Sequence, residues 1–209
     1  MSNPKRIYYL TASLLFFLSF VFLSLIVHRD LFRNFDYRSM VMLQKLTPEK
    51  LDLPFALLTL LASSEVTLFL LLSVFMYLVF RRKHLFLGIF IYMLMYPLEL
   101  LGKLLIYHPK PPLFFFKNIL NLHLPSSYII QTNYSFPSGH MARTAFLTVI
   151  LLRLFCGKKS SKLAAYLAIF VIFTAMFYTR IYLGEHWFSD VTGGIFLGFS
   201  VGFFSLAFL

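Results

Sequence analysis

The sequence is poor in charged residues and almost devoid of cysteine. Only 13% of its 209 residues are charged, with 8 Asp and Glu against 19 Lys and Arg. The single Cys156 excludes an internal disulfide, a cysteine-built zinc site and an iron–sulfur cluster. A chain with so little charge lacks the polar surface of a large soluble domain, which excludes that class of protein.

Apolar residues dominate instead. They make up 59% of the chain, against roughly 45 to 50% in a soluble domain, and the mean hydropathy is +0.79. At about 20 apolar residues per spanning helix, the length allows about six spans. Apolar runs lie at 7–27, 54–80, 85–106, 141–155, 163–183 and 188–209. We therefore predict an all-α, polytopic membrane protein with six transmembrane helices in a single domain, residues 1–209.

The basic residues predict the orientation of these spans. Lys5 and Arg6 resemble the start of a signal peptide, but the apolar run that follows is too long and has no cleavage site, so we expect a retained anchor. Basic clusters near the amino terminus, at 81–84 and at 157–162 fall on one side of a six-span topology. Because basic loops stay in the cytoplasm, both termini are predicted to be cytoplasmic. Contact of these loops with anionic lipid explains the net charge of +11, and we expect membrane lipids but no nucleic acid as partners.

Chemically active side chains are predicted to converge on the non-cytoplasmic face. Ionisable residues near a membrane helix are costly, so they are functional hypotheses by default. The parity of six spans brings four separate parts of the chain to this face. They contribute Lys103, the Pro-Ser-Gly-His sequence at 137–140, Arg180, and the pair His186 and Asp190.

This set of residues is typical of a phosphate site. Lys103, Lys110 and Arg180 supply permanent positive charge. Ser138 and the backbone N–H groups around Gly139 offer donors at a helix start, where the helix dipole favours an anion.

The two histidines indicate chemistry in addition to binding. His186 and Asp190 are four residues apart, so on a helix the carboxylate can hold one ring nitrogen while the other attacks phosphorus. His140 is then left to protonate the departing oxygen. Positive groups around the phosphate would stabilise charge in the transition state.

The three segments resemble the signature of the type-2 phosphatidic acid phosphatase (PAP2) family of membrane lipid phosphatases, which is related to vanadium haloperoxidases. The family pattern is Lys-x6-Arg-Pro, then Pro-Ser-Gly-His, then Ser-Arg-x5-His-x3-Asp. The corresponding segments here are Lys103-x6-Lys110-Pro111, Pro137–His140 and Thr179-Arg180-x5-His186-x3-Asp190. The resemblance implies a six-helix core, no cofactor and no metal.

By the same resemblance, each matching position has a role. His186 forms the phosphohistidine, Asp190 orients it, and His140 is the acid. The phosphate would be bound by Lys103, Lys110, Ser138, Gly139 and Arg180. Lys110 departs from the pattern because it replaces an arginine, which keeps the charge but loses the planar, bidentate fork. Thr179 replaces a serine and keeps the hydroxyl.

The resemblance implies an integral lipid phosphatase of the cell membrane with its site on the non-cytoplasmic side. Bacterial members act on undecaprenyl pyrophosphate, phosphatidylglycerol phosphate, phosphatidate or lipid A phosphates, and we favour undecaprenyl pyrophosphate. Three alternatives stay open. They are a glycerolipid phosphatase, a lipid phosphotransferase that uses the same phosphohistidine, and a non-enzymatic lipid binder. The oligomeric state is not predicted.

Other polar residues are assigned structural roles. Glu99 is expected to pair with Lys103 four residues later, Arg143 to be structural, and Glu65 to be buried or paired midway along the second helix. His108 and His123, in the long loop before the fourth helix, are expected to be solvated. Gly194, Gly198 and Gly202 recur every four residues and predict close helix packing.

Overall fold

The computed structural model describes residues 4–81, 90–117, 120, 132–155 and 162–208. Helices account for most of these residues, and the only β-pairing among them is an isolated bridge between Pro109 and Tyr134. We number the helices α1 Pro4–His28, α2 Arg33–Leu46, α3 Asp52–Leu60, α4 Ser64–Arg81, α5 Met95–Leu105, α6 Gly139–Phe155, α7 Lys162–Tyr182 and α8 Phe188–Leu206. Short 3-10 helices lie at Glu49–Leu51 and Leu113–Phe115.

Three helices of the described chain are long and apolar enough to cross a membrane. They lie at Pro4–His28, Leu163–Tyr182 and Phe188–Leu206, and a bent pair formed by Glu49–Leu60 and Ser64–Ser73 makes a fourth if it is counted as one span. The predicted span at 85–106 is described only from residue 90 onwards, and α6 has 17 residues. The structure is therefore that of a helical membrane protein with three or four candidate spans, and six spans stay a prediction.

The predicted helix at 54–80 is divided by a bend of 44°. The Ser63 hydroxyl accepts a hydrogen bond from the Val66 N–H at 3.3 Å, as an N-cap side chain does, and α4 begins at the next residue. An N-cap of this kind starts a new helix, which the apolar run concealed. Glu65 consequently lies in the first turn of α4 rather than midway along a helix, a position where the helix dipole stabilises negative charge.

The connection between the first two predicted spans contains the helix α2, which crosses the end of the bundle. Asp36 and Met40 are its buried residues. The amide of Gln44 donates hydrogen bonds to the carbonyl oxygens of Phe115, at 2.7 Å, and of Tyr182, at 2.8 Å. Because α2 also packs on α7 and α8, it fixes the loops at this end of the molecule.

Helix α8 forms the centre of the bundle and packs most extensively against α6 and α1. A Cβ atom at Gly194 would collide with the carbonyl of Ser138, and one at Gly198 would collide with the carbonyl of Ala142. The glycine repeat therefore brings α6 into backbone contact with α8, which confirms the predicted close packing. On the opposite side, Ser13 and Ser200 exchange hydrogen bonds between their hydroxyls and carbonyls at 2.8 and 3.0 Å.

Candidate active site

His186 and Asp190 form a pair at the junction of α7 and α8. Asp190 lies in the first turn of α8, where its Oδ2 accepts a hydrogen bond from the backbone N–H of Trp187 at 2.9 Å. The same oxygen lies 3.3 Å from Nδ1 of His186. Because a carboxylate only accepts hydrogen bonds, this contact places the imidazole proton on Nδ1 and leaves the lone pair on Nε2. His186 keeps 9% of its surface exposed, whereas Asp190 is fully buried.

The Pro-Ser-Gly-His segment lies directly against this pair. The Ser138 N–H donates to the carbonyl oxygen of Asp190 at 2.9 Å, and α6 begins at Gly139. Ser138 is fully buried, and its hydroxyl has no hydrogen-bond partner among the described residues. His140 occupies the first turn of α6, close enough to His186 for an electrostatic interaction. The second and third sequence motifs are thus brought together.

Cationic side chains surround His186. Burial and then the charges of Arg180, Lys103, Arg143 and Lys110 hold the pKa of the His186 imidazole well below its usual value. Arg180 is buried in the last turn of α7, Lys103 lies in the last turn of α5, and Lys110 is exposed in the following loop. Near neutral pH, His186 is therefore an uncharged imidazole next to several positive groups.

Two carboxylates form ion pairs with these cations. The sequence predicted only the pairing of Glu99. Glu99 bridges Lys103 Nζ, 2.7 Å from Oε1, and Arg143 Nη1, 3.2 Å from Oε2, so its predicted pairing with Lys103 is confirmed. The Glu99 carboxylate also packs so closely on Gly139 that a side chain there would collide with it. Glu185 forms an ion pair with Arg180. Among the described residues, the Nε atom of Arg180 has no hydrogen-bond partner.

Arg143 supports the site from the bend between α3 and α4. Its Nε donates to the carbonyl oxygen of Ala62 at 2.8 Å, and its side chain is 6% exposed. The break in the helix leaves this carbonyl without its helical partner, and the guanidinium satisfies it. Arg143 thus has the structural role that the sequence predicted, and it also holds Glu99.

The expectation that His108 is solvated is wrong. The residue is 3% exposed, and its Nε2 lies 3.1 Å from Ser189 Oγ, 3.4 Å from Asp190 Oδ1 and 3.6 Å from Asp36 Oδ2. Sequence reasoning missed this cluster because Asp36 is 72 residues away from His108. It lies in a connection whose charged residues are spread over many positions. The one available signal was the position of His108 inside the Lys103-to-Lys110 segment. His123 lies outside the described residues.

Comparisons with known proteins agree with these motifs. The model of the PAP2 superfamily matches residues 85–209. No curated protein is matched. The crystal structure of the first transmembrane PAP2 type phosphatidylglycerolphosphate phosphatase from Bacillus subtilis is similar with a TM-score of 0.76 and 22% identity, over 94% of this chain and 95% of its own. The crystal structure of Aquifex aeolicus LpxE is similar with a TM-score of 0.60 and 25% identity, over 82% and 94%.

The family match covers more than half of the chain and contains all three motif segments, from Lys103 to Asp190. The likeness in fold extends over nearly the whole chain. This chain therefore belongs to the PAP2 superfamily.

Proposed function

We propose that the chain hydrolyses the terminal phosphate of a lipid phosphate or pyrophosphate through a phosphohistidine on His186. The observation that carries this proposal is the 3.3 Å contact between Nδ1 of His186 and Asp190, which leaves Nε2 free among cationic side chains. A neutral imidazole with one oriented nitrogen is a nucleophile, and positive charge draws the phosphate to it.

The first half-reaction transfers the phosphoryl group to the enzyme. The lone pair of His186 Nε2 attacks phosphorus, so a P–N bond forms while the P–O bond to the lipid breaks. His140 gives a proton to the departing lipid oxygen. Asp190 stabilises the positive charge that develops on the His186 ring, as the carboxylate in a catalytic triad does.

The second half-reaction releases inorganic phosphate. His140, now unprotonated, takes a proton from water, and the water oxygen attacks phosphorus as the P–N bond breaks. His186 returns to its neutral state. Arg180, Lys103 and Lys110 hold the phosphoryl oxygens in both steps, together with the Ser138 hydroxyl and the N–H of Gly139. Phosphate binding requires that Glu99 and Glu185 share these cations with the substrate.

The surface beside the site supports a lipid substrate. Leu113, Phe114 and Phe116 are 88%, 75% and 52% exposed in the loop that follows Lys110. Trp187 Nε1 donates to the carbonyl oxygen of Pro109 at 2.7 Å, which ties this loop to the residue after His186. Three exposed apolar side chains next to a phosphate site would enter the headgroup layer and admit a substrate whose tail stays in the bilayer.

The topology and the substrate are part of the proposal. We infer six spans, both termini in the cytoplasm and the site at the non-cytoplasmic face of the cell membrane, with undecaprenyl pyrophosphate as the substrate. Phosphatidylglycerol phosphate is the second candidate, since the similar structure from Bacillus subtilis is that of a phosphatidylglycerolphosphate phosphatase. Phosphatidate is a further glycerolipid candidate, and a transferase would use the same phosphohistidine with a different acceptor.

The test is phosphate release in detergent, with EDTA, from undecaprenyl pyrophosphate, phosphatidylglycerol phosphate and phosphatidate. We expect release by the wild type and by Lys45→Ala, which replaces an exposed side chain of α2, and none by His186→Ala. Because a phosphohistidine is acid-labile, the reaction is not quenched with acid. The phosphorylated enzyme is trapped in alkali instead. Equal release by His186→Ala would overturn the mechanism, and release only after an acceptor is added would indicate a transferase.

A further inference from the structure

Asp190 is approached by histidines from two sides. Its Oδ2 lies 3.3 Å from Nδ1 of His186, and its Oδ1 lies 3.4 Å from Nε2 of His108. Within the described part of the chain, no hydrogen bond is made to Oδ1. The carboxylate is fully buried, and the polar side chains of His108 and Ser135 both approach it.

His108 is itself held rigidly. Its carbonyl oxygen accepts hydrogen bonds from the N–H of Ser135 at 2.9 Å and from the Ser135 hydroxyl at 3.1 Å. On the ring side, the Oγ of Ser189 lies 3.1 Å from Nε2. The Ser189 hydroxyl donates its proton to Asp36 Oδ2 at 2.7 Å, so its oxygen can only accept from His108. The ring proton of His108 on Nε2 is thus donated to Ser189, while Asp190 Oδ1 lies 3.4 Å from the same nitrogen and interacts with it electrostatically.

Asp36 completes the arrangement from α2. Its two oxygens accept the N–H of Ser189 at 2.8 Å and the Ser189 hydroxyl at 2.7 Å, and Oδ2 lies 3.6 Å from Nε2 of His108. Burial lowers the pKa of His108 to about 4 and raises that of Asp36 to about 6. Near neutral pH, His108 therefore carries a single ring proton, and the geometry places it on Nε2.

From this geometry we propose that His108, fixed by Ser189 and Asp36, is a positioning residue that holds Asp190 in the orientation needed to align the nucleophile His186. The inference rests on the proposed function, because it assigns His108 a role only if Asp190 acts on His186. His108 touches neither the phosphate nor the nucleophile. Its removal should consequently lower kcat and leave KM unchanged, because it acts on the alignment of the reacting group and not on substrate binding.

The experiment compares three substitutions of His108 with one control. Gln can place its amide N–H near the position of the histidine Nε2, whereas Asn is one methylene too short and Leu has no donor. We expect kcat to fall by about 10- to 100-fold in His108→Asn and His108→Leu, which is the usual cost of losing a group that orients a ligand or catalytic side chain. His108→Gln should restore kcat to within a fewfold of the wild type, with KM unchanged throughout. Lys45→Leu, the same change to leucine at an exposed position of α2, should have no effect.

A double-mutant cycle with Asp190→Asn separates positioning from a general effect on the fold. If His108 acts through Asp190, His108→Leu should cost nothing further in the Asp190→Asn background, because residues that act as a unit are non-additive. Full additivity, or a His108→Asn variant as active as the wild type, would overturn the inference. If His108→Leu fails to fold, the Gln and Asn variants decide the question alone. Wild-type activity in both Asp190→Asn and His186→Ala would instead overturn the proposed function.

Discussion

The backbone N–H of Ser138 donates a hydrogen bond to the carbonyl oxygen of Asp190 at 2.9 Å, so the second and third sequence motifs are joined by their main chains. The contact depends on how closely α6 and α8 approach each other. It links the helix start that would bind the phosphate to the residue whose carboxylate contacts His186. The packing of two helices therefore determines the geometry of the candidate site.

Gly194→Ala should separate these two helices. A Cβ atom there collides with the carbonyl of Ser138, and backbone cannot move aside as a flexible side chain can. We expect a loss of stability of about 1 to 3 kcal/mol, as in other overpacked cores, together with a fall in kcat. Thermal unfolding in detergent and steady-state kinetics measure both. Gly202→Ala is the control, since its Cβ would lie 3.0 Å from that of Val149, far from the motifs, and should affect activity little. Equal loss of activity in both variants would contradict a specific effect on the site.

Lys110 should be replaceable by arginine. Lys110→Arg restores the planar fork that binds two phosphate oxygens at once, so activity should be kept or raised. Lys110→Ala removes an exposed charge beside the site. We expect kcat/KM to fall by about tenfold, less than the roughly 100- to 1000-fold loss on removing a preorganised oxyanion donor, because solvent screens an exposed charge. Lys45→Ala, at an exposed position of α2, is the charge-matched control. A large loss of activity in Lys110→Arg would show that the phosphate site requires lysine at this position.

Glu99→Gln should strengthen inhibition by inorganic phosphate. The Glu99 carboxylate neutralises Lys103 and Arg143 and competes with a phosphate for them, whereas the amide keeps a hydrogen-bond acceptor without the charge. We expect the inhibition constant for inorganic phosphate to fall severalfold, measured from initial rates at fixed substrate. An unchanged or higher constant in a variant of normal thermal stability would show that Glu99 does not compete with the ligand.

The pH dependence of kcat/KM should show that His186 is active in its neutral form. Burial and neighbouring cations hold the pKa of His186 well below 6.5, and the neutral form is the proposed nucleophile. Protonation inactivates it, so the acidic limb of kcat/KM, which reports the free enzyme, should lie well below pH 6.5. Activity should therefore persist as the pH falls through 6.5. An acidic limb at or above pH 6.5 would contradict this environment of His186.

The contacts of His186 with Asp190 and of Glu99 with Lys103 could be predicted from the sequence because both pairs are encoded locally. His186 lies just before α8 and Asp190 lies in its first turn, so their four-residue spacing brings them together without a distant partner. Glu99 and Lys103, also four residues apart, form their pair for the same reason. The glycines at 194, 198 and 202 predicted the tight packing because one small residue per turn forms a continuous groove.

Other features depended on contacts between distant segments. Periodicity could not reveal the bend at Ser63, because one capping hydroxyl within an apolar run decides it. The contacts of Asp36 and His108 with Ser189 arise only when α2 folds across the end of the bundle.

The sequence by itself determined a helical membrane protein and the positions of the three motifs, since these follow from apolar content and local spacing. Only the tertiary structure decided which carboxylates neutralise the cations and which buried groups surround Asp190. The physical reason is that a buried polar group must be paired, and its partners come from whichever segments the packing of the helices brings within hydrogen-bond distance.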